Sequence, residues 1–294
     1  MPVSPTYPGV YIEEIPSGVR TIMGVSTSTT AFVGRAKKGP VNEPILIHNF
    51  GDFVRIFGGL WEKSTMSFAV QQYFGNGGKD AVIVRVTSDS KDKKITTKSA
   101  VVKLPSSKAA KIKELVLEAK SPGEWGNNLK AAIDYDTKDK DDIIKKEGEK
   151  FFNLTIMDPG PSEEGTGTGE IEIIRNLSLN PFAPSYVKKF LEQNSKFVRV
   201  SGETKELPDI RHDKIDAKKP VKFEEGNDGA DIIDTDLISD DKKGKKGIYA
   251  LEDADIFNLL CIPPRTFEKD FEEKIRISIY DKAANYCKDA EPCC

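Results

Sequence analysis

Apolar residues open the chain's pattern with three short runs separated by helical spacing. Thr30-Ala31-Phe32-Val33-Gly34 reads as a strand, and Pro44-Ile45-Leu46-Ile47-His48 as a second, with a turn at Gly39-Pro40 between them. Asn49 or Asp52 then caps a short helix through Phe53, Ile56 and Phe57, which Gly58-Gly59 ends. Ser64 or Thr65 caps another, with Met66, Ala69, Val70, Tyr73 and Phe74 at three- and four-residue steps, stopping at Gly75 to Gly78. Ala81 to Val86, AVIVRV, is apolar on nearly every position, which suits a central strand covered on both faces. The order strand, strand, helix, helix, strand predicts an α/β unit.

The pattern changes from Thr87. SDSKDKK and the lysine-rich segment to Lys113 are polar and charged and read as solvated surface or loose insertion. Glu114–Ala119 and Leu129–Tyr135 alternate with period two on either side of the turn segment Ser121–Asn128, which carries Trp125, and read as a hairpin. Asp134–Lys150 reads as a charged loop. Phe151–Met157 and Glu170–Ile174 are two further strands, Tyr186–Leu191 a short helix capped by Ser185, and Phe197–Val200 a strand. Ser201–Lys246 is polar and reads as an exposed linker. Apolar pattern returns in Asp255–Ile262, expected to be a buried strand ended by Pro263-Pro264. A helix is expected from about Thr266 to about Cys287, with Phe267, Phe271, Ile275, Ile279, Ala283 and Tyr286 or Cys287 on the face that covers the Ala81–Val86 sheet.

The expected fold is therefore α/β (α+β): a mixed sheet flanked by helices, with an inserted β-rich outer module and an extended N-terminal arm. The expected division is an arm at 1–22, the α/β core in two parts at 23–88 and 246–294, and the module at 89–245.

The arm carries one amphipathic strand. Tyr7-Pro8-Gly9 forms a turn, then Val10, Ile12 and Ile15 alternate with Tyr11, Glu13 and Glu14 up to Pro16. Two partners are open to it: its own domain, or the sheet edge of a neighbouring subunit, since an unpaired edge is a template for another strand. Gly18 and Gly24 give the following Ser/Thr-rich link its flexibility.

Composition narrows the function. The 294 residues hold 44 basic and 47 acidic side chains, a net charge of −3, so no basic excess points to nucleic acid. No apolar run reaches the ~18 residues of a membrane span, and the N-terminus lacks a signal-peptide pattern, so folding is expected in the cytoplasm. Cys261 lies in an apolar run and packs as a small hydrophobe. Cys287, Cys293 and Cys294 form C-x5-C-C, which fits no paired zinc knuckle, and the adjacent pair read as exposed thiols.

Chemistry is sparse. Gly75-Asn76-Gly77-Gly78-Lys79 has the glycines of a phosphate loop, but a helix precedes it and a strand follows, the reverse of that motif. Gly24-Val25-Ser26-Thr27-Ser28 lacks the last glycine of a nucleophile elbow. His48, at the end of an apolar strand, and His212, in the charged linker, are the two histidines, and neither has the context of a catalytic base. Glu252, Asp253 and Asp255 gather near one strand as solvated loop residues. GTGTG at Gly165–Gly169 reads as a hairpin tip. No catalytic, cofactor-binding or metal-ligating residue is assigned.

Four stretches carry a resemblance. YPGVYIEEIPSG with its run into TTAFVGRAKKGPVNEP, SPGEWGNNL at Ser121–Leu129, NLSLNPFAPSYVKKFLEQNSKFVRV at Asn176–Val200, and GIYALEDADIFNLLCIPP at Gly247–Pro264 resemble contractile tail sheath proteins. That family comprises sheaths of phage tails and of related contractile injection systems. The resemblance implies a non-enzymatic subunit of a helical sheath of stacked hexameric rings. It implies four partners: other copies of itself, an inner tube protein, and baseplate and terminal cap proteins, with no nucleic acid and no direct membrane insertion. It implies assembly in the bacterial cytoplasm as part of a phage tail or injection particle. The arm strand Val10, Tyr11, Ile12 and Ile15 would be the subunit interface, and Gly18 and Gly24 the flexible link. Proteins of the family continue beyond the Tyr286-Cys287 helix with a further strand, more of the shared domain and a C-terminal arm. The alternative reading is an α/β enzyme or ligand-binding protein with a β-rich insertion, its site at the carboxyl ends of the sheet strands.

Overall fold

The residues described in the computed structural model are 29–89, 94–105, 114–137, 151–159, 169–201, 214–239, 244–265 and 273–289. The chain begins with β1 (Thr30–Gly34), β2 (Pro44–Ile47), α1 (Phe50–Phe57), α2 (Thr65–Gly75) and β3 (Ala81–Arg85). β3 is buried along its whole length, parallel to β1 on one side and antiparallel to β2 on the other. A strand covered on both faces needs apolar side chains on both, which is what AVIVRV supplies.

Both helices start where the sequence places a cap. Asn49 Oδ1 accepts a hydrogen bond from the Asp52 amide at 2.8 Å, and Ser64 Oγ accepts one from the Ser67 amide at 3.1 Å. Gly58, in the left-handed region at φ 89°, closes α1 with its amide bonded to the Val54 carbonyl at 3.0 Å. Phe53, Phe57, Met66 and Val70 then pack on Phe32, Ala81 and Ile83.

The middle of the chain builds β4 (Thr97–Lys98), β5 (Val101–Pro105), β6 (Glu114–Ala119), β7 (Lys130–Asp134), β8 (Phe151–Met157) and β9 (Ile171–Ser178). α3 (Val187–Asn194), β10 (Val198–Val200), β11 (Val221–Lys222), β12 (Asn227–Asp228) and α4 (Asp234–Leu237) follow. They form a three-stranded sheet β10-β6-β5, a four-stranded sheet β11-β7-β8-β9 and a ribbon β12-β4. Alternation in β6 puts Leu115 and Leu117 into a core shared with Ile133, Leu154, Ile156 and Ile174 of the other sheet.

The hairpin expected from Glu114 to Tyr135 is not formed. β6 pairs with β5 and β10, whereas β7 pairs with β8 and β11. The turn between them is a 3-10 segment, Glu124–Asn128, that carries the chain from one sheet to the other. Alternation alone gives each strand a buried face but not its neighbour. α3 also differs from the expected helix: it begins at Val187, and Tyr186 stands before it with no side-chain cap bond.

The chain leaves the first sheet at Ser88 and returns beside itself at Ala230, whose amide donates to the Ser88 carbonyl at 2.8 Å. Gly229, at φ 81°, has no room for a side chain, since a Cβ would lie 2.2 Å from that carbonyl. Part of the stretch expected to be an exposed linker is ordered here: Ile232, Leu237 and Ile238 are buried with Ile248, Ala250 and Leu251 of a 3-10 segment.

β13 (Leu259–Cys261) joins β1 in parallel and completes the sheet order β13-β1-β3-β2. It is shorter than the strand expected over Asp255–Ile262. At a sheet edge with β1 as its one neighbour among the described residues, it leaves Leu259 57% exposed, and Ile256, expected in the strand, lies before it and is 47% exposed. α5 (Glu273–Asp289) lies on the face opposite α1 and α2, with Ile279, Ala283 and Tyr286 buried beside Val82 and Val84. Phe267 and Phe271 lie outside the described residues. The architecture is thus a mixed α/β sheet flanked by helices, joined to β-rich layers.

Candidate functional site

A parallel α/β sheet binds ligands in the crevice beyond the carboxyl ends of its strands. In this chain that place is filled by the chain's own β-rich part. β3 ends at Arg85, 1% exposed, on the face that packs α1 and α2. Its Nε donates to the Ala36 carbonyl at 2.9 Å, its Nη1 to the Gly39 carbonyl at 2.7 Å and its Nη2 to the Pro122 carbonyl at 2.8 Å. Two of these acceptors lie in the loop after β1, and the third lies in the turn that leads out of β6. All three guanidinium nitrogens are engaged by carbonyls, the arrangement of a brace rather than an anion receptor. Burial pushes the Arg85 pKa down to about 10, with Arg35 adding to the depression and Asp228 opposing it, so the group stays charged at neutral pH.

The segment Ser121–Trp125 seats itself around this brace. Ser121 Oγ accepts from the Gly39 amide at 3.0 Å, and the Trp125 indole donates to the Ser121 carbonyl at 3.1 Å. Lys38 Nζ stands 5.6 Å from the Trp125 ring centre. Gly123, at φ 135°, would put a Cβ 3.1 Å from the Lys37 carbonyl and 3.0 Å from Asp228 Oδ1, so only glycine fits without displacement. Asp228 Oδ1 accepts from the Glu124 amide at 2.9 Å, and Lys63 lies 3.8 Å from both the Asp228 and Glu124 carboxylates. Burial lowers the pKa of Lys37 and of Lys38, and Asp158 opposes the shift in both. Cations of the sheet part thus face carboxylates of the β-rich part.

The positions singled out in the arm, Val10, Tyr11, Ile12 and Ile15, lie outside the described residues, as do Gly18, Gly24 and His212. Gly75 ends α2 and Gly77 takes φ 93°, the geometry of a helix terminus. His48 Nδ1 contacts Asp80 Oδ1 at 2.7 Å at the opposite end of the sheet from Arg85. Asp253 pairs with Lys245 on the surface. Cys261 packs against the α1 and α2 core, and its thiol pKa is pushed up by burial. Among the described residues no three His, Cys, Asp or Glu side chains are grouped to hold a metal ion, and no helix is long and apolar enough to cross a membrane.

Sequence reasoning did not single out Arg85. The available signal was one charge inside the otherwise apolar AVIVRV run, which demands buried acceptors.

Among solved structures the chain matches a sheath tail protein from Listeria innocua, with a TM-score of 0.51 and 12% identity, over 90% of this chain and 46% of that one. The fold is of the tail sheath type. A sheath tail protein from Desulfitobacterium hafniense also matches, with a TM-score of 0.48 and 16% identity, over 96% of this chain and 50% of that one. The chain spans about half the length of these two sheath-type structures. No family model and no curated protein matches it.

Proposed function

We propose that this chain is a structural subunit of a contractile sheath, which polymerises as stacked hexameric rings around an inner tube and contracts to drive that tube through a target envelope. The observation that carries the reading is the sheath-type fold, together with the four sequence stretches that resemble the family. The closure of the strand-end crevice by Ser121–Trp125 favours a structural role over the α/β enzyme reading.

In this proposal the partners are other copies of the chain, the tube protein, and baseplate and terminal cap proteins, within a phage tail or injection particle assembled in the bacterial cytoplasm. The division is an arm at 1–22, a core at 23–88 and 246–294, and a β-rich outer module at 89–245. The stroke is a rigid-body rearrangement between two packings of the same subunits, with free energy stored on assembly.

Val10, Tyr11, Ile12 and Ile15 form the strand that pairs with a neighbour, and Gly18 and Gly24 the link. Each backbone hydrogen bond so formed contributes about 0.5–1.5 kcal/mol net. Val10 and Ile12 contribute about 1.5–3 kcal/mol each when fully buried. Small terms repeated around a ring and along a tube decide whether a tube forms.

Deleting residues 1–20 tests this. Thermal unfolding of the truncated chain should match that of the intact one, while electron microscopy should find no tubes. Tyr11→Pro should act alike, since it removes a backbone donor. Normal tubes from either variant would rule out the arm as the link between subunits.

A further inference from the structure

The contacts around Arg85 join two hydrophobic cores that share no buried residue. One is the core of the β-rich layers around Leu115, Leu117 and Leu154. The other is that of the four-stranded sheet, made of two clusters, one on each face, around Ile83 and Val84. Parts with separate cores open independently unless something couples them. The chain connections at Ser88 and Ala230 keep the parts together, and the contacts around Arg85 tie the turn after β6 to the loop after β1.

We propose that this seam is a latch that makes the two cores one cooperative unit, with Arg85 as its central member. Three observations bear on it. First, Arg85 is buried and bonded on both sides: Ala36 and Gly39 belong to the sheet part, Pro122 to the β-rich part. Separating the parts strands a charged group that has lost a partner. Second, Gly123, at φ 135°, lets the turn approach the Lys37 carbonyl so closely that a Cβ would stand 3.1 Å from it, and the positive φ strains any other residue there. Third, an outer ionic layer surrounds the brace, with Lys63 against Glu124 and Asp228, and Lys37 and Lys38 in the field of Asp158. The outer layer is partly solvated and screened by salt, while the buried brace is not. The latch therefore holds at high ionic strength through Arg85. This inference concerns the subunit alone and does not depend on the sheath reading.

Hydrogen exchange under rising urea, read by mass spectrometry on peptides covering β3 and β8, tests the latch. In the unaltered protein the slowest amides of both strands exchange through the same opening, with rates that agree within about twofold and the same urea dependence. Arg85→Met keeps the bulk and removes the donors. Gly123→Ala acts from the other side of the seam, forcing Ser121–Trp125 away from Lys37. In each variant the rates should separate by about tenfold or more, as loss of one charged hydrogen bond implies. Separation in both variants supports the latch. Separate openings in the unaltered protein would overturn it, as would rates of the two strands that rise together and stay equal in both variants. Separation in Arg85→Met alone would also overturn it, because Arg85 would then act only within its own sheet. If Arg85→Met does not fold, Gly123→Ala decides by the same criterion.

Discussion

Arg85 and Cys261 show how burial sets chemistry side chain by side chain. A guanidinium 1% exposed persists only because carbonyls engage each of its nitrogens. Lysine cannot reproduce a planar fork. Arg85→Lys should therefore lower stability by about 1.5–3 kcal/mol in urea unfolding, and an unchanged midpoint would contradict the brace. Cys261 has its thiol pKa raised by burial, so less thiolate is present at any pH below the shifted value. Its alkylation by iodoacetamide at pH 8, followed by mass spectrometry, should be slower than that of a free cysteine; an equal rate would place it in solvent. The helix caps were readable in the sequence. Asn49 and Ser64 stand where a polar residue precedes an apolar helical stripe, and each side chain bonds its third amide onward. Asn49→Ala should cost about 1 kcal/mol in thermal unfolding.

The strands and helices divide by how much of their information is local. β3 was legible because a run apolar on both faces has one comfortable place, the middle of a covered sheet. Its central residue Ile83 is fully buried, and Ile83→Ala should cost about 2–5 kcal/mol in urea unfolding. α1, α2 and the buried face of α5 through Ile279, Ala283 and Tyr286 were legible from one apolar face repeating at three- and four-residue steps. β6 and β7 were legible as strands but not as members of different sheets. Partner choice depends on distant residues: β6 pairs with β10, and β7 with β11. Leu237 and Ile238 were hidden in a charged stretch, where apolar side chains scattered among many polar ones gave no period to follow. β13 was read as longer and more buried because its apolar residues are the same whether a strand sits inside a sheet or at its edge. The arm strand lies outside the described residues, so its role rests on sequence pattern and resemblance.

The whole molecule combines a helix-flanked mixed sheet with β-rich layers docked over its strand ends, a sheath-type fold. That docking occupies the end of the sheet where α/β folds commonly place a ligand. Among the described residues β13 and β2 form the two edges of the helix-flanked sheet, each with one neighbouring strand. The most direct measurement of the proposed function is cryo-electron microscopy of the particles that contain this protein. The account predicts its fold repeated in stacked hexameric rings around an inner tube, with an arm strand from each subunit paired to a neighbour. Particles in which the chain occurs as isolated monomers, or lies outside any ring lattice, would contradict it.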